Sequence, residues 1–327
     1  MSTYTDASLI VTPNAKKAGK LYSIIPTDGA GDLDVVRATT ATYVGSDGLI
    51  KIAGINEPRF DYSNGSCPSI LVEPQRTNLV FPSATATTQT RTVTATTYTL
   101  SFYGTGSVVL SGVATGTLVG IGSNNRVTLT FTTTAGSLIL TVVGSVTNWQ
   151  LEAGANATSY IPTTTTTVTR NADVISKSGI SNLINSEEGC FFVEANSFVN
   201  GGNFRQFTLS DGTNNSRLYI GWSSIVDTLL IRMDVAGVNV VNNNITSFNQ
   251  TSNNKILIKW GGGNLKTFVN GVERLSLTSL TMPTANLFTK LGFDRGVSAG
   301  FFEGNVKSVL VFPTQLTDQE CIALTTL

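Results

Sequence analysis

The side chains of this chain that can do chemistry are few, and their spacing does not suit catalysis. No histidine occurs among the 327 residues. That removes Ser-His-Asp and Cys-His nucleophiles, the HExxH metalloprotease site and any histidine metal cluster. No G-x-x-x-x-G-K-[ST] loop is present. Carboxylates remain. Hydrolysis of a glycosidic bond needs two of them facing one sugar, roughly 5–10 Å apart. Glu187 and Glu188 are adjacent, so a strand sends them to opposite faces. Glu194, Glu273 and Glu303 are isolated. No catalytic residue and no enzyme is therefore expected. Asp211, Asp227, Asp234 and Asp294 offer oxygen ligands, but none belongs to a D-x-D-x-D series, so no metal is expected. Cys67, Cys190 and Cys321 are widely spaced and odd in number, which argues against a disulfide framework or a zinc site. No cofactor is implied.

Binding asks less than catalysis. An aromatic face can stack on the apolar side of a sugar ring while amides and a carboxylate meet its hydroxyls. In "SDGTNNSRLYIGW", Trp222 follows closely on Asp211, Asn214 and Asn215. These four residues are the candidate glycan-binding set. The competing reading makes Asp211-Gly212 a plain turn and Trp222 a core residue. Trp149 and Trp260 sit inside strand patterns and read as core.

The elements that must position these residues are nearly all strands. Period-2 alternation rich in β-branched residues recurs along the chain, punctuated by Asp47-Gly48, Asn64-Gly65, Asp211-Gly212 and Asn270-Gly271 turns. Residues 1–80 read as a first, turn-rich region with one hairpin, 38–44 returning through 49–53. Residues 81–160 carry strands every 8–12 residues and read as a small jelly roll or β-sandwich with Tyr98, Phe102, Phe131 and Trp149 in its core. Residues 161–178, with the threonine run 163–167, read as an extended linker. Residues 179–327 read as a β-sandwich whose strands include 255–260, 265–269 and 272–277. "NNN" at 242–244 and "SNN" at 252–254 read as solvated loops. A short terminal helix closes the chain, with Thr317 and Glu320 as a capping box and Leu316 packing before it.

One stretch stands apart. "INEPRFDYSNGSCPSILVEPQRTNLV", residues 55–80, places Glu57, Arg59, Asp61, Glu73 and Arg76 in a chain that is only 13% charged. Pro58, Pro68 and Pro74 exclude a helix and suit an edge or crossing segment. Its charges can pair with one another, pair with a neighbouring subunit, or stand in solvent.

The formal net charge is +0, and no basic block occurs, so neither nucleic acid nor an anionic membrane is an expected partner. No basic-then-apolar leader opens the sequence and no apolar window is long enough to span a bilayer, so synthesis in a cytoplasm is expected.

The series "RATTATYVGSDGLI", "EPRFDY", "ILVEPQRTNLV" and "WQLEAGANATSYIPTTTTTVTRNADV" resembles a pattern recurrent in tailed-phage virion proteins, namely tail, fibre and head-fibre proteins. It covers most of residues 35–80 and 149–174. The segments "LSDGTNNSRLYIGW", "KILIKWGGGNLKTFVNGVERL" and "FFEGNVKSVLVFPTQLTDQECIAL" resemble the concanavalin A-like (laminin G-like) sandwich over about residues 185–327. The resemblance implies an all-β protein at the virion surface. Its N-terminal extended and hairpin region would anchor and assemble it against other virion proteins as a homotrimer, and its sandwiches would meet host surface polysaccharide. Two alternatives follow from the same resemblance: a decoration protein without a ligand, or a polysaccharide depolymerase. A fold that hosts lectins, hydrolases and structural modules does not choose among them.

Overall fold

The computed structural model describes residues 3–297 and 299–327. The protein is all-β with a single α-helix, Asp318–Thr325, among the described residues. Most strands join one 16-stranded antiparallel sheet. Its order is 238–246, 228–235, 217–222, 205–210, 290–292, 174–178, 33–36, 20–25, 9–17, 304–312, 189–197, 254–261, 264–269 and 272–277. The short strands 69–72 and 60–61 attach beside 304–312.

This sheet curls over one core. Phe207 and Trp222 come from one half, and Phe302 and Val309 from the other. Phe207 and Phe302 ring centroids lie 4.3 Å apart, and Trp222 meets Phe302 edge-on at 5.1 Å. Alternation sends Phe191 and Val193 of strand Gly189–Ser197 into this core. The residues between them, Cys190 and Phe192, face a second layer with Leu316, Cys321 and Leu324 of the terminal helix segment. The helix starts where the sequence predicts. The Thr317 N–H donates to Glu320 Oε2 at 2.8 Å, and the Glu320 N–H donates to Thr317 Oγ1 at 3.3 Å.

The middle module folds as two small sheets. One runs 122–132, 97–104, 146–153, and the other runs 116–119, 107–112, 136–143, 89–93. Tyr98, Phe102 and Trp149 are buried between them with Val108, Leu110, Leu138 and Leu140, and Phe131 packs partly buried against them. The Trp149 indole donates to Pro82 O at 2.8 Å, and that of Trp260 to Ser186 O at 2.9 Å, so both large core residues satisfy their polar edge.

Strand pairing crosses the boundaries drawn from sequence. Leu9–Val11 pair with Val309–Val311, and Ile70–Val72 pair with Gly304–Val306. Strand Leu33–Val36 pairs with Val174–Ser178, which pairs in turn with Lys290–Gly292. Residues from 1–80 and 161–178 are thus strands of the C-terminal sheet. The sequence shows each strand's alternation but not its partner, because partners here lie up to 303 residues apart, as between Ser8 Oγ and Val311 O. The threonine run is anchored too: Thr163 is buried and its Oγ1 donates to Val80 O at 2.6 Å. Asn242–Asn244 are not a loop. They belong to strand Val238–Thr246 and pair with Arg232, Ile231 and Leu230. Asparagine's turn preference is overridden by a ladder that continues through it.

These pairings predict that a fragment of residues 179–327 does not fold alone. Removing strands 9–17 and 69–72 takes away two of the three partners of the 304–312 strand, leaving only 189–197, and bares the core residues Val306, Val309 and Val311. The fragment is expected to be aggregated, or protease-sensitive without a cooperative melt. A soluble fragment with a sharp thermal transition by circular dichroism would contradict this.

Candidate functional site

The four candidate residues from the sequence do not form one site. Asp211, Asn214 and Asn215 gather at the tip of the hairpin joining Arg205–Ser210 to Arg217–Trp222. Asp211 Oδ1 accepts the Thr213 N–H and hydroxyl, both at 2.7 Å, and Asn214 Oδ1 accepts from Arg217 Nη1 at 2.6 Å. Their polar atoms thus stabilise the turn, which Gly212 completes at φ +84°. Trp222 lies at the far end of its strand, 0% exposed, packed against Phe207, Phe248 and Phe302. No ring can stack on it. The correction is one of strand length. Five residues at ~3.3 Å each separate Arg217 from Trp222 by ~17 Å, and alternation turns the indole into the core.

A different set of residues converges where the three parts of the chain meet. A cavity of about 210 Å³ is walled by Thr42, Tyr43 and Val44 of the N-terminal hairpin, by Tyr103, Arg126, Ser159 and Tyr160 of the middle module, and by Phe198 and Asn305 of the large sandwich. At ~30 Å³ per water it holds about seven waters, enough for one sugar-sized group. Tyr43, Tyr103 and Phe198 are half-buried. The Arg126 Nη atoms donate to Thr158 O at 2.6 Å and Ser101 Oγ at 2.8 Å, while its Nε has no partner. Asn305 Oδ1 accepts from Ser69 Oγ at 2.9 Å, which leaves the amide nitrogen uncommitted among the described residues. Asn305 also borders an adjoining polar depression of about 470 Å³ with Asn64, Asn196, Asn253 and Lys307.

Two carboxylates, Asp61 and Glu73, also reach this cavity. Neither is free. Asp61 accepts the Val44 N–H at 2.7 Å and the Ser63 N–H at 3.0 Å, with the Ser63 hydroxyl as a further donor. Glu73 is the centre of a buried ion network. Its Oε2 meets Arg59 Nη1 at 2.5 Å and Arg170 Nη1 at 2.8 Å, and both oxygens accept from Ser159, N–H and hydroxyl, at 2.6 Å. Asp173 binds Arg37 Nη1 at 2.7 Å and Arg59 Nη2. Glu73 and Asp173 also clasp each other directly: the Asp173 N–H donates to the Glu73 carbonyl, and the Glu73 N–H donates to the Asp173 side-chain Oδ2, both at 2.9 Å. Arg37, Arg59, Glu73, Arg170 and Asp173 are each at most 3% exposed.

Burial alone would raise the Glu73 pKa. The Arg170 and Arg59 guanidiniums and the Ser159 hydrogen bonds outweigh it and hold the carboxyl at about 2. Burial alone would likewise lower Arg59, and Asp173 and Glu73 reverse this, so its pKa is raised. A carboxyl locked in its anionic form beneath two guanidiniums is no proton donor for a leaving group.

The charged stretch at 55–80 thus pairs partly with itself, through Arg59 and Glu73, and partly with "TRNADV" of the connector. The excess of charge in a charge-poor chain was the sequence signal. Its partners Arg170 and Asp173, about 100 residues further on, stand in "TRNADV", where nothing in the sequence pairs them with residues 55–80. Nothing in the sequence joins the cavity aromatics Tyr43, Tyr103 and Phe198 either, because each comes from a different module.

Neither a protein-family model nor a curated protein matches the sequence. Among solved structures, the chain is similar to the CBM40 module of the Ruminococcus gnavus IT-sialidase bound to α2,3 sialyllactose. That similarity has TM-score 0.37 and 14% identity, covering 43% of this chain and 83% of that one. The NanB sialidase from Streptococcus pneumoniae gives TM-score 0.39 and 15% identity over 46% of this chain and 26% of that one. The leech intramolecular trans-sialidase gives 0.37 and 16% over 43% and 24%.

Two predictions follow from the network. Glu73→Gln leaves Arg59 and Arg170 buried with one carboxylate fewer, and is expected to destabilise the fold by about 3–5 kcal/mol, read by urea denaturation. The acid limb follows from the Glu73 pKa. The folded value, about 2, lies below the reference 4.5. Its stabilisation, on the order of 3 kcal/mol, is therefore complete above about pH 4.5. It is lost as the pH falls from there towards 2. Glu73→Gln is expected to flatten that part of the stability–pH curve. An unchanged curve would show that Glu73 does not set it.

Proposed function

We propose that this chain is a structural protein of a tailed-phage particle, a fibre, tail or head-decoration component, that holds host surface glycan in the cleft between its modules. The observation that carries the binding part is the convergence of Tyr43, Tyr103 and Phe198 with the Arg126 guanidinium and the Asn305 amide around one small cavity. Half-buried aromatics supply an apolar wall for a sugar ring, and spare donors supply partners for hydroxyl or carboxylate oxygens. The phage part rests on the sequence motifs of residues 35–80 and 149–174. Much of that motif series, Arg59, Glu73, Arg170 and Asp173, is what builds the network under the cleft. A motif kept together by buried ion pairs suits a rigid surface module.

On this reading the protein binds and does not hydrolyse. The two carboxylates at the cavity are saturated by fixed donors, and Glu73 is held anionic. Binding by one small cavity is weak. Many copies on one particle convert it into firm adhesion through effective concentration. The purely structural alternative is favoured by the same rigidity and predicts no ligand.

A glycan array of bacterial surface polysaccharides, followed by calorimetry on hits, tests the reading. Tyr103→Ala and Arg126→Ala are each expected to weaken binding by about tenfold, roughly 1.4 kcal/mol; Tyr103→Ala leaves the melting temperature little changed, while Arg126→Ala also lowers it by removing the donor to the buried Thr158 O and Ser101 Oγ. No binding to any glycan favours decoration. Release of reducing sugar from a bound polysaccharide favours the depolymerase.

A further inference from the structure

Asn305 lines both the aromatic cavity and the polar depression beside it. Its place follows from strand register. Asn305 pairs with Leu71 of strand Ser69–Val72 on one side and with Asn196 of strand Gly189–Ser197 on the other. The three form a row across the outer face of the large sheet, while Ile70, Val72, Ala195 and Val306 beside them turn into the core. Leu71 lies at the cavity end of this row and Asn196 at the depression end. The 63–67 turn follows the same path, with Ser63 at the cavity and Asn64 at the depression. The two spaces are consecutive parts of one groove.

The chemistry of the two parts differs. The cavity carries the rings of Tyr43, Tyr103 and Phe198, and no aromatic side chain stands among the described residues lining the depression. Amides take their place. Asn305 is 5% exposed, and its amide nitrogen has no partner among the described residues. A buried donor of this kind calls for an acceptor from outside the chain. Asn196 donates its Nδ2 to the Ser197 carbonyl at 3.3 Å, which leaves its Oδ1 able to accept. The lining cation, Lys307, lies 3.7 Å from Glu194, so its charge is balanced. Amide donors and acceptors side by side, without net charge, match hydroxyl groups, which donate and accept at once. The depression, about 470 Å³ against about 210 Å³ for the cavity, has room for a further ring.

We propose that the groove takes a run of at least two sugar residues, one ring against the aromatics of the cavity and the next, an uncharged sugar, in the depression. Asn305 stands at the junction, where its amide nitrogen donates to an oxygen at or beside the glycosidic linkage. This rests on the reading of the cavity as a glycan site and extends it to a ligand class: a polysaccharide chain rather than a single sugar. The second ring is tethered to the first, so it binds without a further loss of translational freedom. Length therefore raises affinity up to the span of the groove.

The probes are fragments of one to six residues, cut by mild acid from the array polysaccharide that binds and titrated into the full chain by calorimetry. Fragments of two or more residues are expected to bind at least tenfold more tightly than the single sugar. Cys67 gives a chemical handle, because it lines the depression and is exposed, whereas Cys190 and Cys321 are buried. Alkylation of Cys67 with N-ethylmaleimide is expected to remove the gain with length and to leave single-sugar affinity within twofold. Asn64→Ala, on the exposed turn, is expected to weaken the longer fragments about fivefold and to spare the single sugar. Lys307→Gln is expected to change neither by more than twofold, and a larger loss overturns the uncharged assignment. A single sugar that binds as tightly as the longer fragments overturns the second subsite and leaves the cavity reading in place. So does a gain with length that survives alkylation. Failure of every polysaccharide to bind overturns the cavity reading and the second subsite together.

Discussion

The ion network around Glu73 and Asp173 is the constraint on which the arrangement of this protein depends. Two carboxylates and the guanidiniums of Arg37, Arg59 and Arg170 are removed from water together. Charges buried this way are tolerated only when geometry and hydrogen bonding satisfy them closely. The network meets that demand by drawing on distant parts of the chain: Arg37 and Arg59 from the N-terminal region, Ser159 from the end of the middle module, Arg170 and Asp173 from the connector. Carbonyls extend it, with Arg37 on Gly54 O at 2.6 Å, Arg59 on Thr42 O at 2.9 Å and Arg170 on Pro74 O at 2.6 Å, while Nε of Arg59 and of Arg170 is left without a partner. No subset of these segments can leave without stranding a charge. Apolar packing is indifferent to small shifts by comparison, whereas bonds near 2.6 Å fix direction as well as distance.

The cleft is a consequence of this clamp. Its walls come from modules with separate cores, and the gap between two cores is where a cavity forms most readily. The network lies directly beneath, since Glu73 and Ser159 belong to both. Tyr43 and Tyr103 sit on strands Ala41–Val44 and Thr97–Gly104, and Phe198 directly follows strand Gly189–Ser197. Pre-organisation of this kind lowers the cost of holding a ligand. Of the two acids that reach the cavity, Glu73 joins segments through Ser159 and Arg170, while Asp61 ties the N-terminal hairpin to Ser63.

The same division of labour accounts for where charge is missing. The middle module has only three charged residues, and none serves the outward face of its second sheet. The buried cluster of charge lies at a joint between segments, while pairs such as Lys51–Asp47 and Lys266–Glu273 stand on the surface.

All-β character, the hairpins at Asp211-Gly212 and Asn270-Gly271, the capping box of Thr317 and Glu320, and the core roles of Trp149 and Trp260 follow from sequence, because each is set by neighbours a few residues apart. Alternation and turn chemistry are local properties. What only the tertiary structure decided are pairings between distant segments. Strands near residue 10 and residue 70 complete the C-terminal sheet, Arg59 finds Asp173, and Tyr43, Tyr103 and Phe198 meet around one cavity. Trp222 shows the difference in one residue. Its distance from Asp211 along the chain suggested a shared site, but a strand's length and the two-residue period place its ring in the core, away from the loop. Nothing local to a strand specifies its partner, and ion pairs between segments 100 residues apart leave no periodic trace in either one.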